Sequence, residues 1–230
     1  MKRALGIITA RGGSKGVPRK NIRIVAGHPL ISYTVKSALE SNLLDEFVTS
    51  TDNDEIADIA AKYGSPILLR PEELAQDHTP HVPVIQHVIR DFEERGKVFD
   101  NIVILQPTSP QRTGLDIDNC LELLSTTRAD TIVSVYKVDD HHPARMYTLV
   151  NGYLVKYDVE PEDRQRHSLP DVYHRNGAVY ALKANLVTNK NTIYGDTVCP
   201  YIMPRSRSVN IDNETDLALA EVLLSKNITE

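Results

Sequence analysis

Four cations, Arg11, Lys15, Arg19 and Lys20, fall within ten residues of a chain whose formal net charge is −5. Like charges packed so closely repel, so a loop that concentrates them reads as a receptor for a polyanion. The same stretch, TARGGSKGVPRKN (9–21), carries Gly12, Gly13 and Gly16, which let the backbone turn tightly and present N–H groups to phosphate oxygens, while Pro18 restricts the exit. The chemistry this predicts is a cradle for a triphosphate. Two familiar phosphate motifs are excluded by spacing. Ser14-Lys15-Gly16 lacks the Gly-Lys-Ser/Thr order of a P-loop, and glycines at 12, 13 and 16 do not make the Gly-x-Gly-x-x-Gly of a dinucleotide site.

Further polar groups lie where strands are predicted to end. Gln106 opens LQPTSPQRTG (105–114), a strand passing into a Pro-Thr-Ser-Pro turn, and Arg70 follows the short apolar run PILL, from which its planar donor fork could read a pyrimidine edge or a phosphate. Asp212 follows the apolar Ile211, with Asn210 two positions earlier, on the same side if the segment is extended. One carboxylate supported by an amide oxygen suits Mg²⁺, or Mn²⁺, bound to a nucleotide, because such ions keep several waters. Arg164, Arg166 and His167 could pair with a substrate carboxylate. His141 and His142 are adjacent and precede a proline, a pattern that fits structural histidines better than a zinc site.

The elements that must position these residues follow from hydrophobic periodicity. Apolar runs at 3–9, 46–51, 66–70, 101–106 and 130–138 alternate with helical patterns at 29–41, 53–64, 81–95 and 113–126. That rhythm predicts a Rossmann-like three-layer α/β sandwich, with a mostly parallel sheet and ligands at the strands' C-terminal ends. After Val138 the rhythm breaks. The polar stretch 141–175 reads as an extended arm inserted into a single domain over 1–230, and the core pattern returns at 176–182, near 198–203 and in the helix 214–226, with Asn213 as its N-cap and Asp216 three residues on.

Composition sets the limits. With 230 residues, 41% hydrophobic and 25% charged, the chain can bury a real core. A net negative charge argues against nucleic acid as a partner, since phosphate neutralisation needs a basic surplus. The apolar run before Arg11 is too short for a signal peptide, no stretch approaches a membrane span, and Cys120 and Cys199 form no paired motif, so a reducing cytoplasm is expected.

Taken together, TARGGSKGVPRKN, STDNDEIADIA (50–60), LLRPEELAQD (68–77), LQPTSPQRTG, RNGAVY (175–180) and NIDNETDL (210–217) make the chain resemble the bacterial CMP-sialic acid synthetases, also called N-acylneuraminate cytidylyltransferases, and their relatives for legionaminic or pseudaminic acid. The resemblance implies attack of the anomeric C2 hydroxyl of a nine-carbon acidic sugar on the α-phosphorus of CTP, with pyrophosphate leaving. It implies catalytic roles for Arg11, Lys15, Lys20 and Asp212. Ala10, Gly12, Gly13, Ser14, Asn21 and Arg70 would contact nucleotide, with Arg70 on the cytosine side. Gln106, Arg166, Asn176 and Tyr180 would contact sugar, and Arg112 would lie near the phosphates or behind the loop. It further implies a homodimer whose arm reaches the partner's site. Two departures matter: many members read Asp-Ile-Asp where this chain has Asn210-Ile211-Asp212, and sialate-activating members often carry Phe-Arg-Pro where it has Tyr173-His174-Arg175. Alternatives are preference for legionaminic or pseudaminic acid, and a catalytically silent nucleotide sensor.

Overall fold

In the computed structural model, which describes residues 2–157 and 168–226, a seven-stranded mixed sheet runs through the middle of the molecule. Its strands are β1 (Ala4–Thr9), β4 (Glu46–Thr51), β5 (Ile67–Leu69), β6 (Asn101–Leu105), β7 (Thr131–Lys137), β10 (Tyr173–Lys183) and β11 (Val198–Ile202), in the order β5-β4-β1-β6-β10-β7-β11. A two-residue pair, β2 (Ile24–Val25) and β3 (His28–Pro29), and a hairpin, β8 (Tyr147–Val150) and β9 (Tyr153–Lys156), stand apart from it. The helices are α1 (Leu30–Leu39), α2 (Asp54–Lys62), α3 (His81–Glu94), α4 (Gly114–Thr126), α5 (Ala184–Thr188) and α6 (Glu214–Ser225).

Side chains alternate across a strand, and here the alternation divides the core in two. Ala4 and Ile8 of β1 join Val103 and Leu105 of β6 against α1, α2 and α4, while Leu5 and Ile7 join Ile102 and Ile104 against α3 and α5. Both faces of the central strands are thus apolar, as a sheet buried between helix layers requires. Leu5, Ile7 and Ile8 are wholly buried, each contributing about 1.5–3 kcal/mol. The loop that follows β1 therefore leaves from a fixed point. A third cluster of Val17, Val25, Leu30, Ile211, Leu217 and Ala220 ties that loop to α6.

The helix starts match their sequence signals. Asn213 and Asp216 form a reciprocal capping box on α6, as predicted, and Thr113 with Asp116 forms a second on α4. Within the seven-stranded sheet all pairings are parallel except those of β10, which runs antiparallel to both β6 and β7. Its direction was not legible, because a buried strand reads alike in either sense. β10 also begins earlier than the expected arm ends: Tyr173, His174 and Arg175 pair with Lys137, Tyr136 and Val135, and the register shifts before Tyr180. His142 accepts from the Ala144 N–H through Nδ1 (3.1 Å) and donates to the Pro170 carbonyl through Nε2 (3.0 Å), closing the arm's base as a structural histidine. Arg164, Arg166 and His167 lie outside the described residues.

Candidate active site

The sheet's connections change direction between β1 and β6, since β1 leads outward to β4 and β5 whereas β6 leads the other way. Crevices form beyond the strand ends at such a point. Here the loop after β1 and the turn after β6 enclose a cleft of about 450 Å³, walled by Arg11, Ser14, Lys15, Lys20, Arg70 and Asp212 among others. A second chamber of about 370 Å³ adjoins it, lined by His174, Arg175, Tyr180 and Tyr194. His81, Gln106 and Asn210 line both.

The crowded cations of the loop are each met by a carboxylate that the sequence reading did not pair with them. Arg11 and Lys15 converge on Asp77 at 2.7 and 2.6 Å, Arg19 turns away to Glu55 on α2, and Lys20 reaches Asp212 at 3.3 Å and the Ile211 carbonyl at 2.7 Å. Arg19 is thereby removed from the cleft. Lys15, followed by Arg11, holds the Asp77 carboxyl below its ordinary range. The pair is exposed, and exposed ion pairs exchange readily for a competing anion. Asp77 thus stands where a phosphate group would meet Arg11 and Lys15.

Close approaches fix the loop. Gly16 lies so near the Asp212 carbonyl that a Cβ would fall 2.0 Å from its oxygen, so glycine is required there and the loop is pinned to the segment carrying the carboxylate. Asp52 accepts from the Gly12 N–H (3.2 Å) and from Arg70 (3.5 Å), and Asn21 donates to the Arg11 carbonyl at 2.9 Å. Burial, partly offset by Asp52, lowers the pKa of Arg70.

Several assignments change with this geometry. Ala10 is buried, and its N–H donates to the Ser50 carbonyl, carrying the β1–β4 pairing into the start of the loop. The Gly12 N–H serves Asp52 rather than an open anion site; Gly13 is exposed, with nothing close to where a Cβ would lie. Asn176 is almost wholly buried: its amide oxygen accepts from Ser134 and the Ala178 N–H, and its nitrogen donates to Ser208. No part of that amide is left for a sugar, and its effect is to shape the bend at Gly177. Arg112 lies behind the site, bound to the Ala178 carbonyl (2.6 Å), Ser37 (3.1 Å) and the Gln106 carbonyl (3.2 Å). Burial pushes its guanidinium down to about 9 despite Asp116. Gln106 and Tyr180 do face the second chamber.

At the far wall, Ile211 donates its N–H to the Thr108 carbonyl at 2.8 Å, setting Asp212 against the loop. The Asn210 amide nitrogen donates to Asp212, while its own oxygen is buried without a hydrogen-bond partner. Asp77, His81 and Tyr194 had no assigned role in the sequence. Their partners are Arg11, Gln106 and Arg175, at separations of 66, 25 and 19 residues, and no local pattern announces them.

An α/β sheet that presents a glycine-bent cationic loop opposite a carboxylate, at its switch point, has the parts of a nucleotidyltransferase. Residues 5–224 match the family described as Cytidylyltransferase, and the chain belongs to it. It is 33% identical over 227 residues to the CMP-N,N'-diacetyllegionaminic acid synthase of Legionella pneumophila subsp. pneumophila, covering 98% of this chain and 97% of the relative. It is 31% identical to the N-acylneuraminate cytidylyltransferase of Escherichia coli O18:K1:H7, covering 96% of this chain and 52% of that protein. In fold it is similar to CMP:2-keto-3-deoxy-manno-octonic acid synthetase complexed with CTP, with a TM-score of 0.75, 15% identity, and 98% and 100% of the two chains covered. No helix among the described residues is long and apolar enough to cross a membrane.

Proposed function

We propose that the chain transfers CMP from CTP to the anomeric hydroxyl of a nonulosonic acid, releasing pyrophosphate. The observation that carries this is the two-chambered cleft: one chamber lined by Arg11, Lys15 and Lys20, the other by hydrogen-bonding and aromatic side chains, joined along a common wall. The first suits a triphosphate and the second a polyhydroxylated acid. The names of the Legionella and Escherichia relatives support that pairing of substrates.

In this reading Arg11, Lys15 and Lys20 neutralise the phosphates once CTP displaces Asp77, and Arg70 reads the nucleotide from the cleft's floor. Catalysis is mainly positioning, and no protein nucleophile is needed. Asp212 presents an exposed carboxylate beside the buried, unpartnered Asn210 oxygen, a donor set that fits one Mg²⁺ shared with the nucleotide. Asp212 would hold the ion, and Asn210 would orient that carboxylate. The bound ion supplies charge against the phosphates. Substrate supply and two free cysteines point to the cytoplasm.

The hairpin β8–β9 supports a homodimer. Leu149, Tyr153 and Leu154 are 70–76% exposed, and an isolated two-stranded ribbon with apolar side chains in water is marginal. A second copy of this chain covering it fits. Light scattering should read twice 25.7 kDa; a fully active monomer would refute the shared arrangement.

Sugar choice should move with the rim. His174 stacks at a tilt on Tyr136, and Arg175 donates to the Tyr194 hydroxyl while lying over its ring. Polar groups reject analogues lacking a matching partner far more strongly than apolar walls do. The expected result is turnover of both N-acetylneuraminic and N,N'-diacetyllegionaminic acid, with kcat/KM favouring the diacetamido sugar in the wild type and moving toward N-acetylneuraminic acid in His174→Arg/Arg175→Pro. An unchanged ratio would remove these residues from sugar selection.

A further inference from the structure

One side chain has a place in the cleft that neither the phosphate loop nor the carboxylate accounts for. His81 is the first residue of α3, and it lines both the phosphate chamber and the second chamber, together with Gln106 and Asn210. That common wall is where a hydroxyl in one chamber must meet a phosphorus atom in the other. Gln106 Nε2 lies 3.5 Å from His81 Nε2, with the Gln106 oxygen turned toward Gly177 instead, 2.6 Å from where a Cβ would lie. An amide nitrogen only donates, so Nε2 is the unprotonated nitrogen of the ring; its one lone pair faces Gln106 across a long, weak contact, and the attacking hydroxyl takes the place of that amide to reach it.

We propose that His81 accepts the proton of the attacking sugar hydroxyl. This rests on the transfer reaction above. The hydroxyl oxygen forms the new bond to the α-phosphorus of CTP, the bond from that phosphorus to the bridging oxygen breaks, and pyrophosphate departs with the electron pair. The hydroxyl proton passes to Nε2, and water later removes it.

The surroundings keep the imidazole neutral. Desolvation by the cleft walls, and then the positive charge of Arg70, lower its pKa from 6.5, although the side chain stays open to solvent. Around it, the first chamber contributes Arg11, Lys15, Lys20, Arg70, Asp77 and Asp212, and the second contributes His174, Arg175, Tyr180 and Tyr194. Cations outnumber carboxylates, which favours the unprotonated ring. A base of this kind works above its pKa, so the rate falls as pH drops through a midpoint below 6.5.

The test is a single-turnover pH profile with saturating CTP and N,N'-diacetyllegionaminic or N-acetylneuraminic acid, whichever the wild type uses faster. In His81→Ala the acid limb should vanish, the neutral-pH rate should drop about 10²–10⁴-fold, and KM for both substrates should move by less than about threefold. His81→Gln keeps bulk and a hydrogen-bonding tip, so it decides the matter if alanine disturbs the fold; it should show the same loss, and added imidazole should restore part of the rate in His81→Ala. An acid limb surviving in an active variant, or a rate within about fivefold of wild type, overturns the assignment of His81 alone. A wild type that forms no CMP ester with either sugar overturns the transfer reaction and this proposal together.

Discussion

Replacing Lys15 by alanine is expected to lower turnover by about 10²–10³-fold while leaving the melting temperature where it was. The side chain is 78% exposed and pairs with Asp77, so no core contact is lost with it. In the structure Lys15 and Arg11 share that carboxylate; in the proposed complex they meet phosphate oxygens whose charge grows as pyrophosphate leaves. A cation aimed at developing charge acts more strongly on the transition state than on the bound substrate, so kcat should fall further than KM rises. Single-turnover rates set beside thermal melts decide it. A variant with nearly full activity, or one that melts far earlier, would take Lys15 out of the chemistry.

The second large effect is expected at Asp212. Asp212→Asn should remove about 10²–10³-fold of activity, whereas Asn210→Ala should remove about 10-fold, because the first change deletes the carboxylate and the second only a group that orients it. The geometry supports the ranking: the Asn210 nitrogen donates to Asp212, and Lys20 steadies the other carboxylate oxygen at 3.3 Å. EDTA should abolish activity, and Mg²⁺ or Mn²⁺ should restore it. Equal losses at the two positions, or full activity in chelator, would contradict Asp212 as the residue that holds the ion.

The sequence made the layered architecture legible because short apolar runs alternate cleanly with 3.6-residue periodicity along the first 138 residues. β1, α1, β4 and α2 lie within three residues of their expected bounds. The loop 9–21 was legible for a different reason: cations and glycines crowded in an acidic chain have few structural uses. What stayed hidden depended on contacts distant in sequence. Asp77 gains meaning only when the β5–α3 connection folds back onto Arg11, and His81 only when α3 begins beside Gln106. Asn176 misled because a buried amide satisfied by Ser134 and Ser208 looks, in sequence, like one offered to a ligand. The strand β10 was partly concealed in the polar arm, since Tyr173, His174 and Arg175 are exposed although they pair with β7.

The central claim is that the two chambers join a nucleotide to a sugar. Phosphorus NMR of the protein with CTP, Mg²⁺ and N,N'-diacetyllegionaminic or N-acetylneuraminic acid tests it directly. The expected spectrum gains one phosphodiester resonance from a CMP-sugar, together with an equal amount of pyrophosphate, while CTP declines in step. Unchanged CTP with every sugar, or free CMP and pyrophosphate without the ester, would contradict the account.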